Sequence, residues 1–332
     1  MDYRQLGRTG LRVSALGFGC GDVGGLIVRG TLAERERAVA RAVELGINYF
    51  DTAAAYGNGR SEENLGEVLR SLKPDVYVGT KFRLEPSDLS DVAGGVARSL
   101  EASLRRLKLE RVDLLQLHNR ITSGPEDRTI TVSPLLDDVV AALRRLQEQG
   151  KIRFYGITAL GETEALHRAL SARALDTAQV CYNLLNPSAG AAVPSGFPAQ
   201  DFRSLLGPAR EHGVGVIVIR VLAAGALSGQ LERHALAMPS VEPIASGPDY
   251  ASDVARARQL EGVGRGGYAE SLVEAALRFP LGSPAVSTVL LGYSTLEHLE
   301  YAVSAVTRGP LPPAALAALD EAWRRLATPS SP

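Results

Sequence analysis

Short apolar runs alternate with amphipathic stretches along most of the chain. Short apolar runs between turn residues are typical of buried strands, and apolar residues at three- and four-residue spacing are typical of helices. The apolar runs predict eight strands, at 16–19, 47–50, 76–80, 112–117, 154–158, 178–182, 214–219 and 286–291. The apolar spacing predicts helices that begin at Thr31 and Ser61 and helices over 92–107, 133–150, 163–170, 202–212, 271–279, 296–306 and 313–327.

The eightfold alternation of strand and helix limits the fold class. Runs that are apolar on both faces favour a parallel sheet covered by helices, and eight units close a (β/α) barrel. An open doubly wound sheet is the alternative, but no G-x-G-x-x-G turn follows the first strand. The segment from Arg4 to Ser14, with a turn at 7–10, predicts a hairpin that plugs the bottom of the barrel. We therefore expect an α/β fold, a (β/α)8 TIM barrel with an N-terminal β-hairpin and an extra C-terminal helix, as a single domain over residues 1–332.

Three connections are longer than ordinary loops between strands and helices. They lie at 119–132, 183–201 and 229–267, and each follows a predicted strand. In a barrel they lie over the face at which the carboxyl ends of the strands meet, and loops of this length are commonly functional. The longest is rich in Gly, Pro and Ser, and a short helix is predicted within it at Asp253–Leu260.

Composition and charge restrict the class of function. The 332 residues carry a net charge of −1, with 45% apolar and 22% charged residues, as in an ordinary soluble protein. A nearly neutral chain is a poor candidate for binding nucleic acid, which requires a basic excess. No run reaches the ~20 apolar residues that a membrane span needs, and no signal peptide is visible. Cys20 and Cys181 lack metal-ligand spacing, so we expect buried free thiols, no metal site and a cytoplasmic protein.

Polar side chains follow three consecutive predicted strands. Asp51 closes the second strand, Lys81 the third and His118 the fourth, and Tyr56 lies five residues after Asp51. Each residue alone is more often a cap, a packing residue or a solvated charge. In a barrel, however, all four converge on the mouth, where catalysis takes place in this fold. We therefore take Tyr56, Asp51, Lys81 and His118 as the candidate catalytic residues.

These four residue types together suit proton transfer to a carbonyl group. A tyrosine titrates near ~10, and a nearby ammonium lowers that pKa because it stabilises the phenolate. An aspartate beside the lysine holds the ammonium in place, and a histidine orients or polarises the carbonyl oxygen. The sequence shows no thiol or metal cluster beside them, so the hydride has to come from a cofactor.

The segments that carry these residues resemble the motifs of the aldo-keto reductases. The resemblance rests on Gly46–Ala53 (GINYFDTA), Tyr56-Gly57, Ser61-Glu62, Thr80-Lys81 and Leu117-His118. The motif around Asp51 and Tyr56 is specific to the family, and the later motifs match it in order and spacing. The segment 6–14 is similar to the bacterial branch of the family, and the resemblance covers roughly residues 3–306.

The resemblance implies NAD(P)-dependent reduction of a small aldehyde or ketone, or the reverse oxidation of an alcohol or sugar. It implies that Tyr56 is the general acid and base, that Lys81 and Asp51 tune it, and that His118 orients the substrate carbonyl. The candidate substrate contacts are Tyr56, Phe82, His118 and Asn119. For the phenylalanine and the asparagine, core packing is an equally good interpretation.

The resemblance also implies an extended nicotinamide cofactor, NADP(H) or NAD(H), bound without a Rossmann domain. The candidate cofactor contacts are Gly19, Asp51, Thr158, Gln179, Arg220, Leu222, Gly225, Leu227, Gly292, Ser294 and His298. Thr158 and Gln179 match the family's site for the carboxamide. The segment 292–298 matches its adenosine-phosphate loop, where a helix N-terminus suits an anion.

Departures from the family's pattern bear on how the cofactor is held. Ala159 stands where an asparagine is usual, and Ile219 and Arg220 stand where an aromatic residue often closes the seventh strand. Gly292 and His298 replace cations that often hold a 2′-phosphate, which makes NAD a serious rival to NADP. Arg220 has two equal interpretations: contact with the pyrophosphate or an acidic substrate group, or an ion pair at the barrel rim.

Three functions are compatible with these residues. The first is the NAD(P)-dependent oxidoreductase described above. The second is a catalytically weak module that binds the cofactor and reports redox state to a partner, which the departures at Ala159 and Ile219 favour. The third is an isomerase or aldolase with Lys81 as a Schiff base, but a lysine beside a carboxylate stays protonated, which is unfavourable for that chemistry.

Overall fold

Eight parallel strands form a closed barrel in the computed structural model, which describes residues 1–327. The strands of the described chain are β1 (Tyr3–Gln5), β2 (Arg12–Ser14), β3 (Leu16–Gly19), β4 (Tyr49–Asp51), β5 (Tyr77–Phe82), β6 (Val112–Leu117), β7 (Arg120–Thr122), β8 (Thr129–Thr131), β9 (Ile152–Thr158), β10 (Thr177–Cys181), β11 (Gly215–Ile219) and β12 (Val286–Gly292). The barrel contains β3, β4, β5, β6, β9, β10, β11 and β12 in that order. This arrangement confirms the (β/α)8 barrel that the alternation of strands and helices predicts.

Helices surround the barrel, and a C-terminal helix is added to the repeated units. The helices are α1 (Leu26–Arg29), α2 (Leu32–Glu44), α3 (Arg60–Leu72), α4 (Val92–Leu107), α5 (Val132–Pro134), α6 (Val140–Glu148), α7 (Thr163–Ser171), α8 (Leu206–Glu211), α9 (Tyr250–Gln259), α10 (Gly262–Arg265), α11 (Leu272–Arg278), α12 (Leu296–Thr307) and α13 (Pro313–Ala327). A π-helical turn over Leu135–Val139 joins α5 to α6. Within residues 1–327 no helix has the length and apolar character required to cross a membrane.

Helix α2 begins where its sequence predicts. The Thr31 hydroxyl accepts the Glu34 N–H at 3.3 Å, and the Glu34 carboxylate accepts the Thr31 N–H at 2.7 Å. This reciprocal pair satisfies two of the backbone N–H groups that a helix start leaves without partners. Thr295 caps α12 through a bond from the His298 N–H at 3.2 Å, so the start of that helix is well defined at the barrel mouth.

The N-terminal hairpin closes one end of the barrel. Strands β1 and β2 pair antiparallel, and Leu6, Leu11 and Val13 of the hairpin are buried. Their partners inside the barrel are Tyr49, Leu114, Ile217 and Leu290. Gly7 has a φ of 51°, and a Cβ there would lie 2.2 Å from the Gly215 nitrogen, so this approach requires glycine.

Two predicted helices differ from those observed. The helix predicted over 202–212 covers only Leu206–Glu211. Arg203 and Ser204 have φ values of 48° and 58°, in the left-handed region, which is incompatible with a right-handed helix. The helix predicted at 253–260 starts earlier, because the Asp249 carboxylate accepts the Ser252 N–H at 2.7 Å and caps α9.

Two of the long connections contain short strands or helices of their own. Strands β7 and β8 pair within 119–132, and α9 and α10 lie within 229–267. The connection 229–267 also reaches the loop after β3, where the Met238 N–H donates to the Asp22 carbonyl at 3.1 Å. The longest connection therefore packs on the barrel mouth.

Candidate active site

The structure brings together the polar residues that the sequence places at the mouth. Asp51 ends β4, Lys81 lies on the neighbouring β5 and His118 directly follows β6, while Tyr56 comes from the loop after β4. The Lys81 ammonium contacts the Asp51 carboxylate. It also donates to the Thr52 carbonyl at 2.8 Å and to the Tyr56 hydroxyl at 3.2 Å. A carboxylate, an ammonium and a phenol thus form one continuous series of polar contacts.

The loop that carries Tyr56 is fixed by its neighbours. The Tyr56 carbonyl accepts the Ser61 N–H at 3.2 Å, which ties the loop to α3. The Asp22 carboxylate accepts the Gly57 N–H at 2.8 Å, and a Cβ on Gly21 would lie 3.3 Å from the tyrosine ring. The residues Gly21 and Asp22 are missing from the sequence-based prediction, because the course of the loop after β3 has no periodic signal.

The Asp51 carboxylate is buried among hydrogen-bond donors besides Lys81. Only 3% of the residue is exposed. The Tyr49 hydroxyl lies at 3.0 Å, the Gln179 amide nitrogen at 2.7 Å and the Gln116 amide nitrogen at 3.5 Å from its Oδ2. These donors compensate for the water that the carboxylate loses on burial. The strand period of two would have indicated Tyr49, since residues two apart on a strand face the same side.

The charge of Lys81 follows from its surroundings. Burial lowers the pKa of the ammonium, but the Asp51 carboxylate and the Tyr56 hydroxyl outweigh that effect and leave the pKa above its ordinary value. The lysine therefore remains charged beside the phenol. A charged amine is not a nucleophile, which disfavours the Schiff-base alternative.

His118 is half-buried beside the phenol and is neutral. Its ring centroid lies 5.9 Å from that of Tyr56, with the ring planes at 87°. Burial, followed by the positive charges of Lys81 and Arg83, lowers the pKa of His118 to about 3. A neutral imidazole presents one N–H donor and one acceptor nitrogen. It can therefore donate a hydrogen bond to a carbonyl oxygen without competing with Tyr56 as the acid.

The lowered pKa of His118 predicts how stability depends on pH. The unfolded chain takes up a proton at this residue below about pH 6.5, whereas the folded protein does so only near pH 3. Stability is therefore lost as the pH falls through this window, by about 1.4 kcal/mol per pH unit for one proton. We expect His118→Gln to reduce that slope by one proton in urea unfolding between pH 4 and 7. A slope equal to that of the wild type would contradict the prediction.

Two predicted substrate contacts lie beneath the mouth. Phe82 is 1% exposed and belongs to the hydrophobic core. Asn119 is also 1% exposed, and its amide bonds the Leu84 N–H at 2.9 Å and carbonyl at 2.8 Å and the Arg128 carbonyl at 3.1 Å. Core packing engages Phe82 and backbone hydrogen bonds engage the Asn119 amide, and their contact with a substrate stays a prediction.

The predicted carboxamide site contains one polar atom that is not engaged by the protein. Thr158 is the last residue of β9, and its Oγ1 is buried without a hydrogen-bond partner in the described chain. Gln179 is on the adjacent strand β10, where its amide nitrogen bonds Asp51. Ala159, which replaces the usual asparagine, is fully buried. The free hydroxyl fits a carboxamide, since buried polar groups require partners.

The loops after β11 and β12 contain the remaining cofactor candidates. Arg220 has a φ of 57°, Leu222 is partly buried and Leu227 is fully buried. Directly after Leu222, the segment Ala223–Ser228 forms a tight turn that contains Leu227 and in which Gly225 has a φ of 108°. The turn is held by its own backbone, since the Gly225 N–H donates to the Leu222 carbonyl at 2.8 Å and the Leu227 N–H donates to the same carbonyl at 3.2 Å.

The loop after β12 packs against the loop after β3. The Ser294 hydroxyl donates to the Gly24 carbonyl at 2.7 Å, and a Cβ on Gly24 would lie 2.4 Å from Gly292. Gly19 ends β3 next to this contact, where it pairs with Gly292. His298 lies in the first turn of α12, with its ring centroid 6.3 Å from that of His234 in the long connection. These candidates form a continuous rim along β3, β11 and β12.

A phenol bonded to a buried lysine–aspartate pair at the mouth of a (β/α)8 barrel is an arrangement suited to proton transfer to a carbonyl group. The profile of the aldo/keto reductase family matches residues 15–324, so the chain belongs to that family. Family membership implies a nicotinamide cofactor and a small-molecule carbonyl substrate.

Relatives cover nearly the whole chain. L-galactose dehydrogenase of Arabidopsis thaliana is 32% identical over 92% of this chain and 88% of its own. A chain named "Putative voltage-gated potassium channel subunit beta", from Schizosaccharomyces pombe, is 28% identical over 92% of this chain and 88% of its own. The holo structure of aldo-keto reductase AKR11C1 from Bacillus halodurans matches with a TM-score of 0.70 and 27% identity, over 99% of this chain and 97% of that one.

Proposed function

We propose that the chain catalyses NAD(P)-dependent reduction of an aldehyde or ketone, or the reverse oxidation, with Tyr56 as the general acid and base. One observation carries the proposal: the hydrogen bond of 3.2 Å between the Lys81 ammonium and the Tyr56 hydroxyl, with Asp51 paired to the same ammonium. A bound nicotinamide supplies or accepts the hydride. The chain's own residues handle the proton.

The contacts assign a separate task to each polar residue. In reduction, the Tyr56 hydroxyl gives its proton to the carbonyl oxygen, and the Lys81 ammonium stabilises the phenolate that remains. Asp51 keeps the ammonium in place and charged. The neutral imidazole of His118 donates an N–H to the carbonyl oxygen and fixes its direction toward the phenol. In oxidation the same groups act in reverse, with the phenolate as the base.

The residues at the rim fit the cofactor that the family uses. Thr158 and Gln179 would bind the carboxamide, and the turn after β11 would bind the pyrophosphate. Gly292, Ser294 and His298 would lie beside the adenosine phosphate. Gly292 and His298 stand where cations often hold a 2′-phosphate, so we propose that NAD(H) competes with NADP(H) as the physiological cofactor.

A direct assay tests the proposed activity. The protein is mixed with NADH or NADPH and a panel of aliphatic, aromatic and sugar aldehydes, and absorbance at the nicotinamide band is followed. Consumption of either cofactor that depends on an aldehyde supports the proposal. Tight cofactor binding without turnover of any aldehyde would contradict it.

Binding without turnover would instead support a redox sensor, the second candidate function. Two observations favour that candidate: the replacements at Ala159 and Ile219, and the relative named as a channel subunit. The intact contact between Lys81 and Tyr56 favours the enzyme, since a sensor has no need of a proton donor.

Removal of the Thr158 hydroxyl, which has no partner in the described chain, should change the affinity for the cofactor without lowering the stability of the protein. We expect Thr158→Val to raise the cofactor dissociation constant about 3–10-fold, the value of one hydrogen bond. The melting temperature should stay equal or rise, because a methyl group replaces a buried hydroxyl without a protein partner.

The matched control for this variant is Thr177→Val. Thr177 is also buried with an unpartnered hydroxyl, but it begins β10 at the end of the strand opposite the mouth. Calorimetric titration of both variants with NADH and NADPH checks the prediction. Equal cofactor affinity in the wild type and Thr158→Val would show that the hydroxyl does not contact the cofactor.

A further inference from the structure

Arg220 is a partly buried cation with few partners in the protein. Ten described arginines are at least partly buried, and seven of them form ion pairs with carboxylates. Arg4 donates to two backbone carbonyls and Arg233 to three. Arg220 makes one hydrogen bond, from Nη1 to the Glu242 carbonyl at 3.1 Å. Most of its five N–H donors therefore have no partner in the described chain.

The backbone of Arg220 is fixed in a conformation that side chains disfavour. The residue directly follows β11 at the mouth, and its φ of 57° lies in the left-handed region. The buried Asn183 holds it there, because its amide donates to the Arg220 carbonyl at 2.8 Å. The guanidinium is thus presented from a rigid position on the barrel rim, in a conformation that glycine would adopt at no steric cost.

The surroundings of Arg220 leave its charge uncompensated. Burial lowers its pKa, and the Cys181 thiol and Tyr56 hydroxyl oppose that effect, which places the guanidinium within electrostatic range of the phenol. Asp253, a carboxylate that acts on it, is buried and paired with Arg256. A partly buried cation without a counter-ion is costly, and an incoming anion removes that cost.

Two unpaired charges near the mouth are also positive, and the Asp22 carboxylate there is paired with Arg29 at 3.0 Å. Arg83 follows β5 directly, and Arg120 begins β7 two residues after His118. Both are exposed, and neither forms an ion pair with a carboxylate in residues 1–327. The Asp51 carboxylate is buried and neutralised by Lys81. The approach to Tyr56 therefore has a positive field, which attracts anions.

We propose that Arg220 binds an oxyanion on the substrate, so that the substrate is a carbonyl compound that also carries a carboxylate or phosphate group. Guanidinium groups bind such oxyanions with two parallel hydrogen bonds. The proposal rests on the proposed function, since it names the substrate class of the same site. The cofactor pyrophosphate has the same chemistry and is the other possible source of the anion, so the test has to separate the two.

Two aldehydes that differ in charge test the proposal. The probes are 4-carboxybenzaldehyde and its neutral methyl ester, assayed with the wild type, Arg220→Gln and the control Arg12→Gln. Arg12 is exposed on β2, at the end closed by the hairpin. We expect Arg220→Gln to lower the ratio of kcat/KM for the acid to kcat/KM for the ester at least about tenfold, mainly through the KM of the acid. The control should retain the preference of the wild type for the acid.

Cofactor affinity separates the two sources of the anion. Calorimetric titration of wild type and Arg220→Gln with NADH and NADPH should give equal dissociation constants within about twofold if the substrate is the ligand. A tenfold weaker cofactor together with an equal loss for both aldehydes would assign Arg220 to the pyrophosphate and overturn the proposal. A wild type that treats acid and ester alike would also overturn it.

A binding measurement that requires no turnover makes the test of Arg220 independent of the proposed function. Affinities of the acid and the ester for cofactor-loaded Tyr56→Phe protein are measured by calorimetry, with and without Arg220→Gln. If the wild type turns over no aldehyde of the panel, the proposed function fails, and these affinities still decide whether Arg220 binds an anion. Equal affinities for the acid and the ester would show that Arg220 does not bind an anion, and would not bear on the proposed function.

A glycine variant distinguishes a lost contact from a damaged fold. Arg220→Gly removes the guanidinium and relieves the left-handed backbone conformation. We expect its melting temperature to equal or exceed that of the wild type while its preference for the acid is lost. A glycine variant that keeps the preference would exclude Arg220 as the anion-binding residue.

Discussion

Tyr56→Phe is expected to lower kcat/KM by about 10²–10⁴-fold for any aldehyde that the wild type reduces. The substitution removes only the hydroxyl that receives the Lys81 hydrogen bond at 3.2 Å. The ring keeps its place against Gly21 and His118, so the shape of the mouth is preserved. The loss should therefore appear in kcat, because the proton is transferred only in the reaction step.

Binding and stability should survive the loss of this hydroxyl. Lys81 retains its contacts with Asp51 and with the Thr52 carbonyl, so its charge stays compensated. The cofactor dissociation constant and the melting temperature are expected to match those of the wild type. The matched control is Tyr3→Phe, which removes a hydroxyl bonded to the Gly46 carbonyl at 2.9 Å, far from the mouth. Steady-state kinetics of both variants decide: a Tyr56→Phe protein with full kcat would refute the assignment of the acid.

The sequence could show which candidate catalytic residues meet, because the ends of the strands can be predicted from it. Asp51, Lys81 and His118 follow apolar runs, and parallel strands of a closed barrel bring their ends to one mouth. The predicted strands were therefore enough to predict which residues lie together, although they gave no distances between the side chains. The position of Tyr49 could have been predicted in the same way, since it shares a strand face with Asp51. Only the hydrogen bond from its hydroxyl to the Asp51 carboxylate requires the structure.

The sequence does not predict the direction in which side chains point once the chain has left a strand. Asn119 follows His118 by one residue, yet its amide turns inward to the backbone of Leu84. Arg203 and Ser204 adopt positive φ values with no glycine to indicate them. In both places contacts between residues distant in sequence determine the local conformation. The pattern of apolar and polar residues along the chain does not reveal these contacts. The same limit applies to Arg220, whose lack of a carboxylate partner is visible only in three dimensions.

The proposed proton donor, Tyr56, contacts a buried charge pair that we expect to contribute to folding stability. Replacing one partner leaves the other charge buried without compensation, at a cost of about 3–5 kcal/mol. We therefore expect Asp51→Asn and Lys81→Met each to lower the free energy of unfolding by this amount. Lys81 is fully buried and Asp51 is 3% exposed, so water cannot take over the role of the missing partner.

The double variant Asp51→Asn/Lys81→Met discriminates this account from simple loss of packing. It removes both charges, so its free energy of unfolding should fall by clearly less than the sum of the two single losses. The exposed pair of Glu164 and Arg203, at 2.7 Å, is the control, and Glu164→Gln should leave the free energy of unfolding nearly unchanged because water screens an exposed pair. Guanidinium unfolding at pH 7 measures all four variants. Additive losses in the double variant would mean that the two residues stabilise the barrel independently, and the ammonium beside Tyr56 would then need another source of compensation.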